Sequence, residues 1–166
     1  MKHIIKQYID QILEEAEKRI NKCKETIDWK KLSTKLKSEL ISNIIETSFS
    51  TIVPDTYDPK KDSEPDLYIH ETPLEIKTSK TTHTWRGGEY SKRNGNFLLI
   101  GWDEIDNYIK WFVLFTNLNE NHWNSSKSKN YYATTIKLSD VLKLQDTEIL
   151  YGKTIKKRIN HHILYE

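Results

Sequence analysis

The chain has 166 residues, of which 36% are hydrophobic and 30% charged, with a formal net charge of +2. That balance suits one cored domain and excludes a disordered chain, a uniformly basic arm and a helix spanning a membrane, which needs about 18 apolar residues in a row. The single cysteine, Cys23, excludes an internal disulfide and a cysteine-based zinc site.

Residues 3–24 carry Ile4, Ile5, Tyr8, Ile9, Ile12 and Leu13 at helical spacing, which predicts an amphipathic first helix. This N-terminus has acidic residues throughout and no secretory apolar region, so a cytoplasmic setting in a bacterial cell is expected. Residues 29–50 predict a second helix, N-capped by Asp28, with Leu32, Leu36, Leu40, Ile41, Ile44, Ile45 and Phe49 on its core side. Pro54, Asp58 and Pro59 mark a loop, after which the period changes. "DLYI" and "LEIK" are strand-length runs joined by a turn through His70–Pro73. "NFLLIGW" (96–102) and "YIKWFVLFTNL" (108–118) predict central strands, with "WDEID" (102–106) turning between them. Residues 119–130 predict a polar loop, 131–138 a strand, "DVLKL" a short helix capped by Ser139, and "EILYGKT" a last strand. The expected fold is α/β (α+β): N-terminal helices, then a central mixed sheet of four to five strands. One domain is expected over 1–166, divided into a helical part (1–50), a sheet core (64–118) and closing elements (131–166).

Pairing symmetric about a turn at 70–73 sets Asp66 opposite Lys77 and Tyr68 opposite Glu75. Because strand side chains alternate, these four share one face, while Leu67, Ile69, Leu74 and Ile76 face the core. Two neighbouring carboxylates repel, and a divalent cation removes that penalty. Mg²⁺ takes hard oxygen ligands and is commonly held by one or two carboxylates plus substrate phosphate. A lysine alongside can bind a phosphate oxygen or orient an attacking water, which completes the parts for phosphodiester hydrolysis.

Pro65–Asp66 followed by Glu75–Ile76–Lys77 resembles the PD-(D/E)xK nuclease motif. The resemblance implies a restriction-endonuclease-like core in which Asp66 and Glu75 hold Mg²⁺ (Mn²⁺ substituting), Ile76 adds its backbone carbonyl, and Lys77 orients the water. Members of that superfamily often add an acid from the preceding helix; Glu39 and Glu46 stand there, and Glu46 is the choice. Pro54–Asp55 is a second proline–aspartate pair, disfavoured because a polar loop is expected to follow it.

The segment 78–96 reads as the part that meets DNA. From Lys77 to Asn96 there are five cations against the single anion Glu89, and two of the protein's four arginines lie there. Lys80, Lys92 and Arg93 suit phosphates, whereas Arg86, Thr82, His83 and Asn94 suit base edges. Gly87–Gly88 would let the backbone approach the duplex closely, and Trp85 is expected to anchor the loop. A second basic cluster lies at 153–158, while His122, His161 and His162 lack a ligand spacing. "K-x-S-K…W-R-G-G-E-Y-S-K-R" is similar to the segment that follows the motif in some small type II restriction endonucleases; this resemblance covers about residues 64–103. It implies a Mg²⁺-dependent, site-specific double-stranded DNA endonuclease acting as a homodimer. The alternatives are a junction resolvase or repair nicking nuclease of the same superfamily, or a non-catalytic nucleic-acid-binding module.

Overall fold

The computed structural model describes residues 1–80, 84–87, 93–128 and 131–152. The chain divides into two compact units, Met1–Pro73 and Leu74–Glu166.

In the first unit, helix α1 (Lys2–Thr26) buries Ile5, Ile9, Ile12, Leu13, Ala16 and Ile20, the apolar stripe that its period requires. Helix α2 (Thr34–Ile52) packs against it, with Arg19 Nη2 donating to Thr51 Oγ1 at 3.2 Å. The cap expected at Asp28 is not the cap of this helix. Asp28 precedes a 3-10 turn, Trp29–Lys31, and α2 begins after Ser33, whose hydroxyl accepts from Leu36 N at 3.2 Å. The later start rotates the buried face to Lys37, Ile41, Ile45, Ser48 and Phe49, and leaves Leu36 exposed. Lys37 is buried because its stem covers Trp29, with the ammonium 5.5 Å from the ring centroid.

Strand β1 (Thr56–Tyr57) pairs antiparallel with β2 (Leu67–Ile69), and the Tyr57 and Tyr68 rings stack at 5.1 Å. A strand therefore follows Pro54–Asp55, where a polar loop was expected. The turn after β2 is also tighter than expected. Only His70 and Glu71 lie between β2 and β3 (Thr72–Lys80), and both have positive φ, 47° and 62°. Two such residues make the two-residue hairpin turn that matches strand twist.

The larger sheet is mixed and has six strands in the order β1-β2-β3-β5-β6-β9, more than the four to five expected. Within the second unit β3 runs parallel to β5 (Gly95–Ile105), which pairs antiparallel with β6 (Tyr108–Leu118), and β6 with β9 (Glu148–Tyr151). Residues 124–128, expected to be loop, form β7 (Asn124–Ser128). With β4 (Thr84–Arg86) and β8 (Tyr131–Lys137) it makes a second, three-stranded sheet in the order β4-β8-β7. Helix α3 (Leu138–Val141) follows β8 directly; Lys137 holds the cap position, and Ser139 lies inside the helix. Trp85, Phe97, Leu99, Phe112, Leu114, Leu118, Trp123, Ile136, Leu138 and Val141 form one core cluster, each large side chain contributing roughly 1.5–3 kcal/mol by its burial. No helix among the described residues is long and apolar enough to cross a membrane.

Candidate active site

Strand β3 carries the acid and the lysine of the motif in the second unit. Its register sets Glu75 beside Phe97 and Lys77 beside Leu99, and in turn Phe97 lies beside Thr116 and Leu99 beside Leu114. Paired residues in neighbouring strands point to the same side of a sheet. Glu75, Lys77 and Ser79 therefore share the face of Phe97, Leu99, Leu114 and Phe112, which belong to the core cluster. The expectation of a face opposite the core is corrected here. Leu74, Ile76, Leu98 and Ile100 are buried on one side, and Phe97, Leu99 and Leu114 on the other. Strand β3 thus runs beside a sheet covered on both faces, and Glu75 is only 5% exposed.

A carboxylate so placed needs compensation, and Lys77 supplies part of it: Nζ donates to Glu75 Oε2 at 2.9 Å. The lysine side chain keeps 18% of its surface exposed against 7% for the glutamate, so the pair has a wet end and a dry end. Desolvating two charges costs several kcal/mol per ion, which mutual attraction returns only in good geometry. An apolar pair would fill the same space as stably.

Asp66, in the first unit, is half-buried and directly precedes β2. Glu46 on α2 is half-buried, and its Oε1 accepts from Ser42 Oγ at 3.1 Å; Glu39 is exposed and lies 4.0 Å from Lys35. Asp55 is engaged in shaping the hairpin: its carbonyl accepts from His70 N at 3.0 Å, and its carboxylate lies 3.9 Å from His70 Nδ1. Among the described residues no three His, Cys, Asp or Glu side chains come together as a ready metal cage. Within the second unit, the Glu75 carboxylate and the Ile76 carbonyl on β3 are hard oxygen donors of the kind Mg²⁺ takes, an ion that keeps several waters and takes part of its shell from substrate.

Within the first unit, Tyr68 donates to Glu64 Oε2 at 2.7 Å. That bond, with desolvation and the negative charge of Glu64, pushes its phenol up to about 12. Burial and the nearby Glu71 likewise raise Tyr57. This phenol–carboxylate contact is not legible in the sequence, since an i, i+4 spacing signals contact in a helix and not across a bend into a strand.

The residues expected to meet DNA separate. Lys80 lies on the other side of β3 from Lys77, 3.9 Å from Glu104 Oε2 and 5.4 Å from the Trp102 ring centroid. Asn94 Oδ1 accepts from Glu120 N at 3.0 Å, and Arg93 offers its backbone carbonyl to Trp123 Nε1 at 3.0 Å. These two brace the 3-10 turn Glu120–His122, where His122 Nδ1 accepts from Asn119 N in a capping box. Trp85 is an anchor as expected: it is fully buried, with Nε1 donating to Ile100 O at 3.1 Å. Arg86 is exposed. Gly87 serves packing, because Thr134 Oγ1 and the Trp123 ring occupy the space a Cβ would need, and Gly87 N donates to Thr134 O at 2.9 Å. Thr82, His83, Gly88, Lys92, the histidines 161 and 162, and the cluster 153–158 lie outside the described residues.

Comparison with known proteins returns no matching family model and no matching curated protein.

Proposed function

We propose that the chain is a Mg²⁺-dependent endonuclease for double-stranded DNA, of the type II restriction kind and acting as a homodimer. The observation that carries this reading is the buried Glu75 held by Lys77 at 2.9 Å within an E-x-K step on one strand.

In this mechanism Asp66, Glu75 and the Ile76 carbonyl hold the metal, with Glu46 as a further acid. Mg²⁺, when bound, supplies charge stabilisation to the phosphoryl oxygens. The Lys77 ammonium, fixed in direction by Glu75, donates to the attacking water and lowers the cost of its losing a proton. Water attacks phosphorus in line with the departing 3′ oxygen, giving up its proton to bulk solvent, and the P–O3′ bond breaks as the 3′ oxygen takes a proton from solvent. Charges act most strongly where solvent screens least, so the buried end of the pair is where the interaction of Glu75 with a cation counts most.

Unmethylated plasmid and phage DNA, incubated with the protein in Mg²⁺ or in EDTA, test the reading. Discrete fragments in Mg²⁺ and none in EDTA are expected, with Ca²⁺ supporting binding but little turnover. Nicks confined to branched DNA would make the protein a junction enzyme. Intact but retarded DNA under all conditions would make it a binding module.

A further inference from the structure

The small sheet β4-β8-β7 carries a surface that the motif does not explain. Its fifteen residues, TWR, NSSKS and YYATTIK, include no Asp or Glu, although the chain as a whole has 24 acids. The register divides its positions cleanly. Trp85, Ile136 and Thr134 are buried on the inner side. Arg86 lies beside Thr135, which lies beside Asn124, and Thr84 lies beside Lys137. These outer positions are exposed or half-buried, with Arg86, Lys137 and Asn124 the most open. Arg86 and Lys137 are diagonal neighbours on adjacent strands, roughly 7–8 Å apart. Neither makes an ion pair among the described residues.

We infer that this outer face, with Arg86 and Lys137 as its cations and Thr84, Thr135 and Asn124 as its neutral donors, grips the phosphate backbone of double-stranded DNA. Two neighbouring cations with no counter-charge among the described residues, ringed by hydroxyl and amide groups, are complementary to a row of phosphates. Trp85 is turned inward and fully buried, so its indole is not offered for the stacking that single strands and RNA loops use. Arg86 here acts on phosphate and not on a base edge. The glycine that was expected to bring it near the bases is instead packed against Thr134 and Trp123. The inference rests on the nuclease reading for its choice of polymer but not for its geometry.

Binding to random and plasmid-derived duplexes, measured in Ca²⁺ across a salt series, tests it without cleavage. Arg86→Ala and Lys137→Ala are each expected to weaken binding to all duplexes alike and to lower the salt slope by about one unit, the double variant by about two. Arg86→Lys restores the slope, and Lys35→Ala, an exposed lysine on α2, leaves it unchanged. Circular dichroism on each variant separates lost contact from lost fold. Unaltered slopes in folded variants overturn the inference even if the wild type cleaves DNA. Wild-type binding with these slopes but no cleavage upholds the surface and overturns the nuclease reading. Tighter binding to single-stranded RNA than to duplex DNA assigns the face to another polymer and overturns the inference.

Discussion

Strand β3 supplies the lysines of two acid–lysine pairs on its opposite faces, and they differ in every respect that sets energy. Glu75 and Lys77 lie two residues apart on the same strand, touch at 2.9 Å, and are 7% and 18% exposed. Lys80 reaches across to Glu104 on β5 at 3.9 Å, with exposures of 29% and 22%, and rests over Trp102. The second arrangement is how a lysine is commonly stored at the margin of a sheet: stem on an aromatic ring, charge toward water and a loose counter-ion. The first takes a charge pair into a region where leucine and phenylalanine would be as stable. The two pairs show that proximity of opposite charges says little by itself; burial and geometry decide whether a pair is a staple or a site.

The largest effect should come from separating the dry pair. Lys77→Ala is expected to cost about 3 kcal/mol in denaturant unfolding, the lower end for a broken buried pair because part of the lysine remains wet. Glu75→Leu with Lys77→Met should recover most of that loss, since an apolar pair suits the flanking Phe97 and Leu99. A Lys77→Ala cost below about 1 kcal/mol would put this pair in the same class as Lys80–Glu104. The wet pair should respond less: a double-mutant cycle on Lys80 and Glu104 is expected to return roughly 0.2–1 kcal/mol.

Much of the fold was legible in sequence, because long periodic segments report their own environment. The 11-residue strand Tyr108–Leu118 matches the apolar run read there, and α1 matches its isoleucine period to within two residues. β4 and β7 were not legible. "TWR" is too short to show a period, and "NSSKS" has no apolar residue, so both are strands through pairing with β8 and not through propensity. The face of Glu75 was misjudged for a related reason. "LEIK" alone reads as half-buried, yet "NFLLIGW" is apolar at consecutive positions, the mark of a strand covered on both sides. Its parallel pairing with β3 carries that cover to Glu75, and such pairing is not visible in either segment alone. The motif residues Glu75 and Lys77 were legible as chemistry, but their burial was a property of the neighbouring strand.

Salt should sharpen the contrast between the pairs. Raising ionic strength from about 0.1 M to 1 M shortens the screening length from roughly 10 Å to 3 Å. The coupling of Lys80 with Glu104 is expected to vanish, while that of Glu75 with Lys77 should keep most of its value. Equal loss in both cycles would mean that solvent reaches the Glu75 carboxylate.

The smallest expected effect concerns the phenol–carboxylate contact in the first unit. Tyr68 ionises near 10.0 when unfolded and near 12 when folded, because Glu64 holds its proton. The folded state binds more protons in that window, so this stabilisation is complete below pH 10 and is lost as pH rises toward 12. Ultraviolet titration should show a phenolate transition near pH 12 that disappears in Tyr68→Phe. Loss of a transition near pH 10 in that variant instead would remove the Tyr68–Glu64 hydrogen bond.

The central claim is that Glu75 and Lys77 form the chemical part of a nuclease site. The most direct measurement compares plasmid cleavage in Mg²⁺ by the wild type and by the Glu75→Leu, Lys77→Met double variant, with unfolding curves run on the same samples. The account predicts that both proteins are folded, that the wild type cuts, and that the variant leaves the DNA intact. A folded variant that cuts as fast as the wild type, or a wild type that leaves every duplex uncut, would contradict it.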